Sequence, residues 1–389
     1  MSQSIISDMR KKCLAILIAL AFLGSSLSVP AFAAVKAGAK CNKAGLTSIA
    51  SGKTYTCVKS GKKLVWIKGK QSSIDASVGS SDDNLLYAGI KNAIPAKGWL
   101  TSFPLATKDE PSRSYSIYIP STYTPENSSP LLIALHGISG WNLQLMYNTG
   151  FNDLAEANGF IVAYPNGNAE LVDNKVIRSW NGGACCAISQ RQNSDDLNYI
   201  RNLIDDASSR YSINSKRVYL TGHSNGSMLA QKLACQLSNK ITAVAVVAGR
   251  LLLDTCNPES PVSILQIYGT ADTLNPENGG TTNYTLGTYT YQFSSRPVMN
   301  SLQLLAVANG CSTNFSENKN FYNKDLTIST WPDCKNGVVV SAIKITGASH
   351  AWMGHPAQSV DSIKLIGEPY MKLDASKAIW AFLSNKVKN

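Results

Sequence analysis

The run Arg217-Val-Tyr-Leu-Thr221 ends in Gly222-His223-Ser224-Asn225-Gly226, and Met228, Leu229, Lys232 and Leu233 follow at helical spacing. The pattern reads as strand, sharp turn and helix, with a serine at the apex. A G-x-S-x-G string needs this context. Its glycines let strand and helix approach closely, and the strained turn leaves the serine Oγ exposed. The string alone recurs by chance in glycine-rich turns, so the flanking strand and helix carry the reading. Ser224 is therefore the expected nucleophile.

The 389 residues, 44% of them hydrophobic, suffice for one large core and a small module. The first 33 residues read as a leader. Arg10, Lys11 and Lys12 precede an apolar run from Leu14 to Leu23, and Ala31-Phe32-Ala33 offers an A-x-A cleavage site. The run is too short to span a bilayer, so a signal peptide and a secreted protein are expected, with no transmembrane anchor. Export favours disulfides. Beyond Cys13 the chain has eight cysteines, at 41, 57, 185, 186, 235, 256, 311 and 334. Eight cysteines allow 105 connectivities. Local pairing suggests Cys41–Cys57, Cys235–Cys256 and Cys311–Cys334, each closing a loop of about 20 residues and stabilising by roughly 3 kcal/mol. Cys185 and Cys186 are left to each other or to a rearranged set. No C-x-x-C spacing exists and there are only four histidines, which disfavours zinc; no metal is expected.

The formal charge of +11 is unevenly placed. Residues 34–70 hold nine lysines and no acid, whereas residues 71–389 hold as many acids as bases. The basic character belongs to a short segment, which argues against nucleic-acid binding by the whole protein. Residues 34–70 read as a small, lysine-rich, β-rich module, stapled by Cys41–Cys57. They suit an anionic cell-wall polymer or acidic polysaccharide, or serve only as a soluble spacer. Residues 71–97 read as a linker, and residues 98–389 as the large domain.

In that domain strands are expected at 114–119, 131–135, 160–164, 217–221, 242–248, 264–268 and 338–345. Helices are expected at 152–158, 195–211, 227–237, 298–309 and 374–385. The later strands are apolar throughout, as in a sheet covered on both faces. The fold class is α/β, a mostly parallel sheet flanked by helices.

A serine hydroxyl needs a base, and the base needs an orienting acid. The candidates are His136, His223, His350 and His355. His136 comes early, and His223 adjoins the serine and should point away from its Oγ. His350 follows the last strand by a few residues, where the order nucleophile, acid, histidine requires it. His355 is the alternative. Asp272 follows the strand 264–268 and is the expected acid, ahead of Asp254 and Asp333. The oxyanion donors are expected to be the N–H groups of Asn225 and Ile138, with Ser139 as an alternative to the latter. His136 is expected to shape the Ile138 loop rather than titrate.

From about Tyr115 onward the chain resembles the secreted esterase family that contains poly(3-hydroxybutyrate) depolymerases, feruloyl esterases and acetylxylan esterases. The resemblance rests on ordered motifs: Leu135-His136-Gly137, Tyr164-Pro165-Asn166-Gly167, Trp180-Asn181-Gly182-Gly183-Ala184-Cys185-Cys186, Asp195-Asp196, Gly222 to Gly226, Tyr268 to Asp272, Asn309-Gly310-Cys311, Trp331 to Cys334, and Gly347 to Trp352. It implies an α/β-hydrolase fold, extracellular hydrolysis of a polymeric or aryl ester, no cofactor, and a Ser224-His350-Asp272 triad. The chain departs from the family at Ser227, where glycine is common, at Ala348-Ser349, and at Met353, where proline is usual. These changes bear on the substrate pocket. Trp180 and Trp352 are candidate pocket walls or core aromatics, and the pocket's shape is expected to lie in residues 139–150, 166–194 and 273–300. Two other readings are a polymer-binding protein with a silent hydrolase domain and a secreted peptidase on the same fold.

Overall fold

Runs such as Leu131-Leu-Ile-Ala-Leu135 can leave neither face in water, and the sheet they build is covered on both sides. The computed structural model describes residues 36, 39–41, 47–50, 53–60, 63–68, 98–108, 110–357 and 359–388. The expected leader (1–33) and linker (71–97) lie outside the described residues.

The strands are β1 (Thr47–Ala50), β2 (Lys53–Ser60), β3 (Lys63–Lys68), β4 (Trp99–Pro104), β5 (Ser114–Ile119), β6 (Ser129–Leu135), β7 (Ile161–Pro165), β8 (Asn168–Val172), β9 (Lys175–Ser179), β10 (Ile213–His223), β11 (Ala243–Val247), β12 (Ser263–Gly269), β13 (Gly280–Leu286), β14 (Tyr289–Ser295), β15 (Ser316–Lys319), β16 (Leu326–Trp331) and β17 (Val340–Ile345). The helices are α1 (Asn142–Thr149), α2 (Phe151–Asn158), α3 (Ala187–Arg191), α4 (Asp196–Arg210), α5 (Asn225–Gln236), α6 (Val298–Ala308), α7 (Val360–Ile366) and α8 (Ala375–Leu383).

Among the described residues one sheet has 13 strands, in the order β15-β16-β17-β12-β11-β10-β6-β7-β5-β4-β1-β2-β3. Its middle, from β17 to β7, is parallel throughout. Antiparallel strands extend it on both sides. Side chains alternate between faces. Leu131, Ile133 and Leu135 of β6 pack into one cluster with Leu203 of α4, Leu233 of α5 and Leu302 of α6. Leu132 and Ala134 pack into the other, with Met146 of α1, Phe151 of α2 and Ile379 of α8. This period-two division builds a three-layer α/β-hydrolase fold. The chain reverses its direction of growth at β6 and β10, and ligands of open α/β sheets bind at such a switch point, beyond the carboxyl ends of the strands.

All strands and helices expected in residues 98–389 are present, with their ends shifted by up to four residues. The additions are mostly short: β4, the hairpins β8–β9 and β13–β14, the edge pair β15–β16, and helices α1, α3 and α7. Beyond them, β1 pairs with β4, so β1 to β3 continue the main sheet. Cys57 and Trp66 are buried in the same cluster as Phe103 and Tyr115. Among the described residues four disulfides are present: Cys41–Cys57, Cys185–Cys186, Cys235–Cys256 and Cys311–Cys334. Among the described residues no helix is long and apolar enough to cross a membrane.

Candidate active site

Ser224 sits between β10 and α5 with φ 53° and ψ −119°, a conformation that non-glycine residues rarely adopt. Its surroundings enforce it. A Cβ on Gly222 would lie 2.5 Å from the Gly226 carbonyl carbon, and one on Gly226 would lie 2.6 Å from the His136 carbonyl oxygen. Only glycine permits that approach, which brings the start of α5 against the end of β6. The Ser224 N–H donates to Val247 O at 3.0 Å, tying the turn to β11. Ser227, in place of the family's usual glycine, is put to use. Its hydroxyl lies 2.8 Å from Gly222 O and 2.5 Å from Val247 O, within bonding reach of both strands.

Asp272 follows β12 and His350 follows β17, so both reach the same end of the sheet as Ser224. Their side chains are buried, at 1% and 3% exposure, and His350 Nδ1 lies 2.8 Å from Asp272 Oδ2. The other carboxylate oxygen accepts the N–H groups of Leu274 at 2.9 Å and Asn275 at 2.7 Å. Burial opposes ionisation of Asp272. His350 and the two N–H donors outweigh it and hold the carboxyl below its ordinary range. An ionised Asp272 accepts Nδ1–H, which leaves His350 Nε2 free to take a proton. Ser224 and His350 line one cavity. His355 lies elsewhere, 3.7 Å from Asp374. Asp254 is exposed and paired with Arg296, and exposed Asp333 occupies a turn with φ 59°.

Asn225 is the first residue of α5, and the first N–H groups of a helix have no partner within it. The helix dipole adds partial positive charge there. Ile138 and Asn225 line the same cavity. The Ser139 N–H is engaged with Arg178 O at 2.8 Å, which removes that alternative as second donor.

Buried His136 and half-buried His223 hold neutral roles. His136 Nδ1 donates to Gly137 O at 2.7 Å, and its Nε2 accepts the Gly167 N–H at 2.9 Å. A protonated ring would turn a second N–H against Gly167. Burial lowers the His136 pKa to about 3. His223 Nε2 donates to the His350 carbonyl at 2.8 Å, fixing the backbone of that residue. Burial, and then His350 itself, lower the His223 pKa to about 4. The sign follows. Unfolded histidines take up protons below about pH 6.5, while these two stay neutral in the fold, so stability is present above that pH and is lost as pH falls toward 4. Between pH 7 and pH 5 the expected loss is on the order of 4 kcal/mol. Urea titrations at the two pH values measure it, and equal midpoints would contradict the neutral assignment.

The cavity holds about 170 Å³. Gln144, Leu145 and Asn148 wall it from α1. Thr282, Tyr284, Tyr291 and Phe293 enter from the hairpin β13–β14, and the disulfide Cys185–Cys186 packs beside Met228. These fall in the segments expected from sequence, apart from Met228. Ser362, Leu365 and Ile366 of α7 were not expected there. Trp352 lines the cavity and donates its indole N–H to Ser376 Oγ at 3.1 Å. Trp180 is corrected as a pocket residue. It is fully buried in the core and is not on the cavity wall. Its indole N–H donates to His136 O at 2.8 Å, and its backbone pairs twice with the Asn225 side chain, at 2.7 and 3.0 Å. It braces the loop that begins at His136 against the start of α5.

Residues 113–274 match the sequence model of the family described as Esterase PHB depolymerase. Those residues form a domain of that family. The matched esterase segment includes Ser224 and Asp272, and His350 follows it. Feruloyl esterase B of Piromyces equi is 29% identical over 244 residues, 61% of this chain and 42% of that protein. The bifunctional acetylxylan esterase/xylanase XynS20E of Neocallimastix patriciarum is 28% identical over 243 residues, 61% of this chain and 31% of that protein. This chain thus spans less than half of the length of either relative. Among solved structures, acetyl xylan esterase from Aspergillus awamori aligns over 65% of this chain and 94% of its own, with 18% identity and a TM-score of 0.45.

Proposed function

We propose that this chain is an exported serine esterase that hydrolyses carboxylic esters carried on a polymer, through a Ser224-His350-Asp272 triad. One observation carries the reading: a strained serine lines the same cavity as a histidine whose Nδ1 lies against a buried carboxylate that also accepts two backbone N–H groups. Ser224 Oγ attacks the ester carbonyl while His350 Nε2 takes its proton, and Asp272 holds the imidazole. The N–H groups of Asn225 and Ile138 receive the oxyanion. His350 then protonates the leaving alcohol, and water releases the acyl group from Ser224 with His350 again as base. The four disulfides support an oxidising destination.

The cavity size bears on the acyl group. An apolar cavity of about 150 Å³ accepts one benzene ring, so this site suits one aryl group or one short hydroxyacyl unit. The test sets methyl ferulate, poly(3-hydroxybutyrate) and acetylxylan side by side, with p-nitrophenyl acetate and butyrate as general probes. Turnover of the p-nitrophenyl esters and of at least one natural ester is expected. Absence of turnover on all five would overturn the reading.

A further inference from the structure

Arg250 is a fully buried cation that the mechanism above does not use. It stands just beyond β11, after Ala248 (φ 55°) and Gly249. A Cβ on Gly249 would lie 2.5 Å from Ser227 Cβ, so this turn presses against the nucleophile elbow. The planar guanidinium then reaches away toward the acid. Its Nη2 donates to Asn275 O at 2.7 Å and to Pro276 O at 2.6 Å, and its Nη1 donates to Arg296 O at 2.7 Å. These carbonyls flank the two feet of the hairpin β13–β14, whose inner side chains wall the cavity. Asn275 is also the residue whose N–H holds Asp272 Oδ1 at 2.7 Å.

We infer that Arg250 is a positioning residue for the esterase reaction, which holds the Asp272 loop and the pocket hairpin in register with the Ser224 turn. The inference rests on the triad reading above. The line of contacts is short. Arg250 fixes Asn275, Asn275 fixes one carboxylate oxygen, and the other oxygen fixes His350. Burial pulls the Arg250 pKa down to about 10, with Asp272 opposing the fall, so the group stays charged at neutral pH. Three carbonyls converging from two segments need several donors in one plane. A guanidinium supplies them, and an ammonium keeps the charge without the fork. A displacement of about 1 Å in such a loop is enough to cost about 100-fold in rate.

The test compares Arg250→Lys and Arg250→Met with the wild type, using p-nitrophenyl acetate as a small probe and p-nitrophenyl butyrate as a larger one. Thermal unfolding is followed in parallel. The expected result is a fall in kcat of about 10- to 100-fold in Arg250→Met on both probes. KM is expected to rise more for butyrate than for acetate, because the hairpin walls the acyl site. Arg250→Lys is expected to fold and to recover part of kcat. Folded variants with wild-type kcat would overturn the inference, as would failure of Arg250→Lys to fold, which would assign the residue to the core alone. A wild type inactive on both probes would instead count against the triad reading.

Discussion

Ser224→Ala is expected to lower kcat/KM for p-nitrophenyl butyrate by on the order of 10⁵-fold, with little change in thermal stability. Removing the serine of a triad costs about as much as removing the whole triad, because its members act as one unit. What survives is the contribution of the oxyanion donors and of substrate binding. The fold should tolerate the change, since the Ser224 side chain does not cap the helix it precedes. The turn is held by its N–H bond to Val247 and by the crowding around Gly222 and Gly226, and alanine keeps both. Asp272→Asn tests the same unit from the other side. An amide in that place can present its N–H to His350 Nδ1 and favour the wrong tautomer, at a cost of about 10⁴ in kcat.

The second large effect is on stability. Arg113 of the β4–β5 connection and Asp196 at the start of α4 form an ion pair with each side chain 1% exposed. Arg113 also donates from Nε to Asn166 O at 2.9 Å and lies over the Tyr199 ring at 3.6 Å. The second Asp196 oxygen accepts the Asn181 N–H at 2.6 Å. Asp196→Ala would leave a buried guanidinium without its counter-charge and free the segment that leads into Cys185–Cys186. The expected loss is about 3 to 5 kcal/mol, read from urea unfolding. The pair Arg113→Met with Asp196→Leu should recover much of it, because well-packed apolar residues replace such pairs with little loss. A single substitution costing under about 1 kcal/mol would contradict the account.

The parallel core was legible because its strands are apolar throughout and its helices keep an apolar stripe. Ser224, Asp272 and His350 were legible as candidates for a different reason. Histidines are few in this chain, only His350 and His355 follow the last strand, and His350 is the nearer to it. The pocket was not legible residue by residue. The hairpin β13–β14 hides its signal, since residues such as Thr282 and Tyr284 alternate with exposed polar ones and pack on the cavity, not on the main core. Its partner hairpin β8–β9 had a readable mark in Asp173-Asn174, both at positive φ in the tight turn. Helix α7 has no buried residue, so its sequence shows no packing face. Trp180 and Trp352 are both loop tryptophans, and only tertiary structure separates the core brace from the cavity wall. Arg250 bonds backbone carbonyls, which leave no trace in residue identity.

The most direct measurement is the mass of the intact protein after exposure to an alkyl p-nitrophenyl phosphonate, followed by peptide mapping. A nucleophilic serine paired with a histidine base should take up one phosphonyl group, at Ser224, and Ser224→Ala should take up none. Labelling at another residue, or no labelling of a protein that still hydrolyses esters, would contradict the assignment of Ser224 as the nucleophile.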